Sequence, residues 1–125
     1  MTAPDWPDLE SLLVKVLPQR VAVDGVSTVT PPTLDGKRWL RVTYGPGSES
    51  TVDESVLMDV EAFAPSRVAA KDLAEQARAA MHDLPASTAP LVDRVEVAVR
   101  PAVVPYGNPG VFRCVASYRV TVRPI

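Results

Sequence analysis

The chain has 125 residues, 46% hydrophobic and 22% charged with a formal net charge of −2, which fits one soluble domain, residues 1–125, with a core of its own. One cysteine excludes an internal disulfide, one histidine far from it leaves no zinc cluster, and no apolar run nears the roughly 20 residues that cross a bilayer. The weakly acidic total argues against a dedicated nucleic-acid binder, which carries a concentrated basic footprint.

Proline, at 13 residues, is about twice as common as the usual roughly 5%, and it punctuates the elements. Pro7 precedes a stripe of Leu9, Leu12, Leu13, Val16 and Leu17, and Pro18 sits where the stripe stops, so the first helix is predicted over about 7–19. Residues 21–30 are β-prone but interrupted by Gly25, which predicts a short strand or extended connection closed by Pro31 and Pro32. Lys37 to Tyr44 alternates, with Leu40, Val42 and Tyr44 on one side and Arg41 and Thr43 on the other. Gly45, Pro46, Gly47 and Ser48 read as a turn. A strand over about 52–63 follows, with Val56, Met58, Val60 and Ala62 on one face and Asp59 and Glu61 on the other.

Pro65 is predicted to start a second helix, in which Ala70, Leu73, Ala77, Met81 and Leu84 recur at helical spacing. Pro85 is predicted to end it, leaving 85–90 as a loop of small residues. In 92–104 the valines at 95, 97, 99 and 103 hold odd positions, whereas in 112–123 Cys114, Ala116, Tyr118, Val120 and Val122 hold even ones. Asn108-Pro109-Gly110 between them suits a type II turn. Pairing Tyr106 with Val111 makes a hairpin whose paired numbers sum to 217, with Val97 opposite Val120, Val99 opposite Tyr118 and Glu96 opposite Thr121. The expected fold is α+β: a mainly antiparallel sheet of four to five strands with two helices packed on one face.

Catalytic and cofactor chemistry is thin. His82 falls in the last turn of the second helix, where an imidazolium suits the carbonyl end, and no nucleophile motif accompanies it. Cys114 lies on the apolar parity of its strand and is expected to be a buried small hydrophobe. Asp59 and Glu61 share a strand face about 7 Å apart, yet nothing nearby in sequence gives either a shifted pKa, so a solvated or partner-facing surface is expected. Gly45-Pro46-Gly47 lacks the further glycines of a dinucleotide loop. The expectation is therefore no enzyme, no cofactor and no metal.

Charge is graded along the chain. Residues 1–66 carry 5 basic and 10 acidic side chains, residues 67–90 balance at 3 and 3, and residues 91–125 carry 5 arginines against 2 acids. On the residues alone this reads first as a solvated surface with uneven charge, and second as a polarity that suits head-to-tail contacts between copies. The start, Met-Thr-Ala-Pro-Asp, lacks the basic and apolar regions of a signal peptide, so a cytoplasmic or particle-bound protein is expected.

Several stretches together resemble the tail terminator (tail completion) proteins of long-tailed phages, especially those infecting actinobacteria. They are the proline-started first helix, Val60-Glu61-Ala62-Phe63-Ala64-Pro65, Lys71-Asp72-Leu73-Ala74-Glu75-Gln76-Ala77, Val104-Pro105-Tyr106-Gly107-Asn108-Pro109-Gly110 and Tyr118-Arg119-Val120-Thr121-Val122-Arg123-Pro124, spread over nearly the whole chain. The resemblance implies a structural virion protein that closes into a homohexameric ring on the head-proximal end of the tail tube. Such a ring stops tube polymerisation and meets the head-completion or connector proteins. DNA is met only by passage through the lumen, membranes not at all, and assembly takes place in the host cytoplasm.

The family has no motif-defined catalytic residues, so candidate contacts come from turns and charged strands. They are Gly45, Pro46, Gly47 and Ser48 in the turn that runs to Ser50; Tyr106, Gly107, Asn108, Pro109 and Gly110 in the hairpin turn; and Arg113, Arg119 and Arg123. Asp59 and Glu61 are the candidate lumen or partner face. Two other readings stay open: a head-completion or connector subunit, and a dimeric α+β enzyme with a small-molecule pocket between sheet and helices.

Overall fold

The computed structural model describes residues 5–31, 33–46, 51 and 54–125. Its elements run α1 (Leu9–Val16), a 3-10 turn (Leu17–Gln19), β1 (Gly25–Ser27), β2 (Trp39–Tyr44), β3 (Ser55–Ala64), α2 (Arg67–His82), α3 (Leu84–Ser87), β4 (Val92–Val104) and β5 (Phe112–Val122). The five strands form one sheet in the order β1-β2-β3-β5-β4, in which β1 lies parallel to β2 and every other pair is antiparallel. The α+β class and mainly antiparallel sheet match the sequence reading. The parallel β1 makes the sheet mixed, and a third helix joins the two expected.

The first helix is shorter than the expected 7–19. Asp8, not Pro7, is its N-cap, and the Asp8 carboxylate accepts from Ser11 N at 3.2 Å. Its last turn tightens into the 3-10 segment because Pro18 has no N–H to continue the ladder. The second helix likewise starts after Ser66, whose Oγ accepts from Ala69 N at 3.1 Å, so Pro65 stands outside it. It closes at His82, and Pro85 falls inside α3, where 85–90 was expected to be loop.

One core fills the space between the helices and one sheet face. Leu9, Leu13 and Leu17 enter it from α1 and its 3-10 turn, and Ala70, Leu73, Ala77 and Met81 from α2. The sheet supplies Leu40, Val42, Val56, Met58, Val60, Cys114, Ala116, Tyr118 and Val120. Each fully buried leucine contributes about 1.5–3 kcal/mol. The alternation read for β2, β3 and β5 therefore selects the helix-covered face, and Cys114 is buried as expected. A second, smaller core lies on the other face, where Leu34, Phe63 and Val111 are buried and Trp39 and Tyr106 pack against them.

The β4–β5 hairpin departs from the uniform register. The pairs Ala102↔Val115, Val103↔Cys114 and Val104↔Arg113 keep the expected sum, but shifts on either side of Val99, and a third between Val92 and Arg94, move the rest. Val97 therefore faces Tyr118, Val99 faces Ser117 and Glu96 faces Arg119, rather than Val120, Tyr118 and Thr121. The irregularity brackets Arg100-Pro101, and a proline without an N–H favours a bulge on an edge strand. Being the edge, β4 leaves Val97 and Val99 45% and 55% exposed, so its valines do not form the buried face that their parity suggests.

The hairpin turn differs too. Val111 N donates to Asn108 O at 3.1 Å, but Gly110 has no positive φ, which excludes a type II turn; the left-handed residue is Gly107, at φ 86°.

Candidate functional site

The open face of the sheet gathers side chains distant in sequence. Arg41 on β2 stands opposite Glu61 on β3, and Phe63 on β3 stands opposite Arg113 on β5. Glu61, 8% exposed, takes Arg41 Nε at 3.0 Å on Oε1 and Arg113 Nη1 at 3.4 Å on Oε2. Arg41 also donates to Thr30 Oγ1 at 2.6 Å, and Arg113 donates to Pro105 O at 3.0 Å. A carboxylate bridging two guanidiniums is the arrangement that makes a nearly buried charge tolerable.

The aromatic rings continue this cluster to the hairpin tip. Phe63 and Tyr106 meet edge to face at 5.1 Å, the Arg41 guanidinium lies 5.9 Å from the Phe63 ring, and that of Arg113 lies 5.4 Å from the Tyr106 ring. Asn108 Oδ1 accepts from Gly110 N at 2.9 Å and fixes the turn itself. Gly107, Asn108, Pro109 and Gly110 are exposed, so the tip is held from beneath and presented to solvent. A pocket of about 370 Å³ opens beside it, lined by Arg67, Val103, Tyr106, Pro109, Phe112 and Arg113 among others.

The sequence-derived candidates thus divide. Tyr106, Gly107, Asn108, Pro109, Gly110, Arg113 and Glu61 come together, joined by Arg41 and Phe63, which sequence reasoning missed. Glu61 is not the solvated acid expected, because its carboxylate is enclosed by two arginines. Asp59 is half-buried and accepts from Ser117 Oγ at 2.6 Å.

Arg119 and Arg123 lie elsewhere. Arg119 stands opposite Glu96 on the outer pair of strands, and Arg123 pairs with Asp93 at 2.8 Å. With Arg113 they span β5, about 30 Å at strand rise, and form no single patch. Gly45 is buried and donates its N–H to Leu57 O at 2.9 Å, Pro46 is exposed, and Gly47 and Ser48 lie outside the described residues.

Two buried groups have perturbed acidity. Burial pushes the Cys114 thiol up, against the lowering pull of Lys71 and Arg67, so it stays protonated at neutral pH and is a poor nucleophile. Burial also pushes Tyr118 up to about 12, and its hydroxyl has no hydrogen-bond partner among the described residues. His82 is exposed at the end of α2, where its expected placement holds. Among the described residues no three His, Cys, Asp or Glu side chains converge as a metal site, and no helix is long and apolar enough to cross a membrane.

Comparison with protein-family models and with curated proteins finds no match to this chain.

Proposed function

We propose that this chain is a structural subunit of a phage tail. It forms a ring at the head-proximal end of the tail tube, ends tube polymerisation and offers a surface to head-completion proteins. The observation that carries the reading is the hairpin tip, Tyr106–Gly110, one of the segments in which the sequence resembles tail terminators. Gly107 to Gly110 are exposed, while Tyr106 is half-buried and braced by Phe63, Arg113 and the Arg41–Glu61 pair. A braced contact surface loses little conformational freedom on docking, which suits a subunit that must recognise a tube end. The arginine–carboxylate pairs fasten neighbouring strands to one another beneath the tip.

Co-sedimentation with preassembled tubes of the same phage tests this. Bound protein should scale with the number of tube ends, so that shearing the tubes raises it, and Tyr106→Ala should release it. Binding in proportion to tube length, or none, refutes the reading. Binding to purified portal instead of tube would make the chain a connector subunit.

A further inference from the structure

Among the described residues, Arg67 and Lys71 of α2 and Arg100 of β4 gather around one groove. The groove runs between α2 and the edge strand β4 in two connected parts that share Glu75 and Pro101. The larger part, about 670 Å³, is lined by Arg78, Val97, Ala98 and Arg100, and the smaller, about 170 Å³, by Arg67, Lys71, Val103 and Cys114. Arg78 is paired with Glu75 at 2.9 Å, which leaves Arg67, Lys71 and Arg100 without an ion pair among the described residues. Three unpaired cations thus border an edge strand whose Val97 is 45% exposed. Beside Val97 lies its cross-strand neighbour Tyr118, 1% exposed, whose hydroxyl has no hydrogen-bond partner among the described residues. A bare strand edge beside apolar surface and positive charge suits an acidic polypeptide segment.

The same chain carries a matching segment. Between residues 5 and 14 stand Asp5, Asp8 and Glu10 with no lysine or arginine. Asp5 and Asp8 are exposed, and none of the three has an ion pair among the described residues. Asp8 caps α1, whose first N–H, at Leu9, reaches Tyr44 Oη at 3.0 Å, and Asp5 O accepts from Ile125 N at 2.6 Å, so this acidic end lies by the end of β2 and the tail after β5. None of residues 5–14 lines either part of the groove, whose β4 residues begin at Val97, about 16 Å at strand rise from Val92, the partner of Val122 at the end of β5 beside the segment.

We infer that the α2–β4 groove receives the acidic start of α1 from a second copy of the chain. Arg67, Lys71 and Arg100 face Asp5, Asp8 and Glu10, and Val97 is covered by the contact. Groove and segment are different surfaces, so the contact is head-to-tail and repeats from copy to copy. That the repeat closes into a ring rests on the proposed function above; the contact itself does not.

The charge pattern allows a swap experiment. Arg67→Glu with Arg100→Glu makes one variant and Asp5→Lys with Glu10→Lys the other, at three exposed positions and the half-buried Glu10, with thermal melts to confirm that both fold. Self-association is followed by sedimentation velocity up to millimolar concentration. The wild-type chain should associate and dissociate as salt rises. Each variant alone should associate at least about tenfold more weakly. An equimolar mixture should recover, because each reversed groove then meets a reversed segment. A wild-type chain that stays monomeric, variants that associate like wild type, or a mixture of folded variants that does not recover would each overturn the inference. Tube-end binding is a separate readout: tubes bound normally by chains with unchanged association sink this contact alone, whereas charge-dependent association without tube-end binding sinks the proposed function alone.

Discussion

Removing the Glu61 carboxylate perturbs the braced side of the sheet most directly. Its side chain is 10% exposed, while the Arg41 and Arg113 side chains that meet it keep 28% and 22% exposure. Breaking a buried pair costs about 3–5 kcal/mol, mostly for the charge left behind. Here both arginines reach some water, and Arg41 keeps Thr30 while Arg113 keeps the Pro105 carbonyl. Glu61→Ala should therefore cost about 2–3 kcal/mol, below that range, and Glu61→Gln, which keeps the shape and an acceptor, about 1–2 kcal/mol. With a urea slope of about 1–3 kcal/mol per molar, the alanine variant's midpoint should fall by about 1–2 M at unchanged slope. Combining it with Arg41→Ala should give a coupling of about 1 kcal/mol or more. A loss under about 0.5 kcal/mol with no coupling would place Glu61 among solvent-screened surface pairs and refute the bracing argument.

Other perturbations have equally defined outcomes. Tyr118→Phe removes a buried hydroxyl that has no partner among the described residues, so stability at pH 7 should stay level or rise by about 1 kcal/mol, read from urea midpoints. The wild-type Tyr118 phenol is harder to ionise folded than unfolded, so its contribution should be level at neutral pH and fall as pH climbs from 10 towards 12; the phenylalanine variant should lose that component of the alkaline decline. Gly25→Ala would drive a Cβ into the Trp39 ring, and overpacking of that kind should cost about 1–3 kcal/mol and alter tryptophan fluorescence. Ser66→Ala removes the cap of α2 and should lower stability by about 1 kcal/mol in a thermal melt.

What the residues announced was local. The even positions of β3 and β5 and the stripe of α2 name their buried faces, because period alone decides which side meets a core. The span of β4 was legible for the same reason, but its burial was not. That depends on being the last strand, which only the sheet order reveals, although Pro101 in mid-strand was a usable sign of an edge. The uniform hairpin register failed at that same proline. The Glu61 cluster was hidden because Arg41 lies 20 residues away and Arg113 lies 52 away, and only the β2–β3–β5 order joins them. Net charge by segment was a poor guide to usable charge. Arg113 and Arg123 are paired within the chain, while the charge-balanced segment 67–90 carries Arg67 and Lys71 without an ion pair among the described residues.

The central claim, that this chain ends a tail tube, is tested most directly by the length distribution of tubes grown from the tail-tube protein of the same phage, measured by electron microscopy. With the chain present, elongation should cease and a ring should be visible at one end of each tube. Tubes that grow to the same lengths with and without it, and carry no terminal ring, would contradict the account.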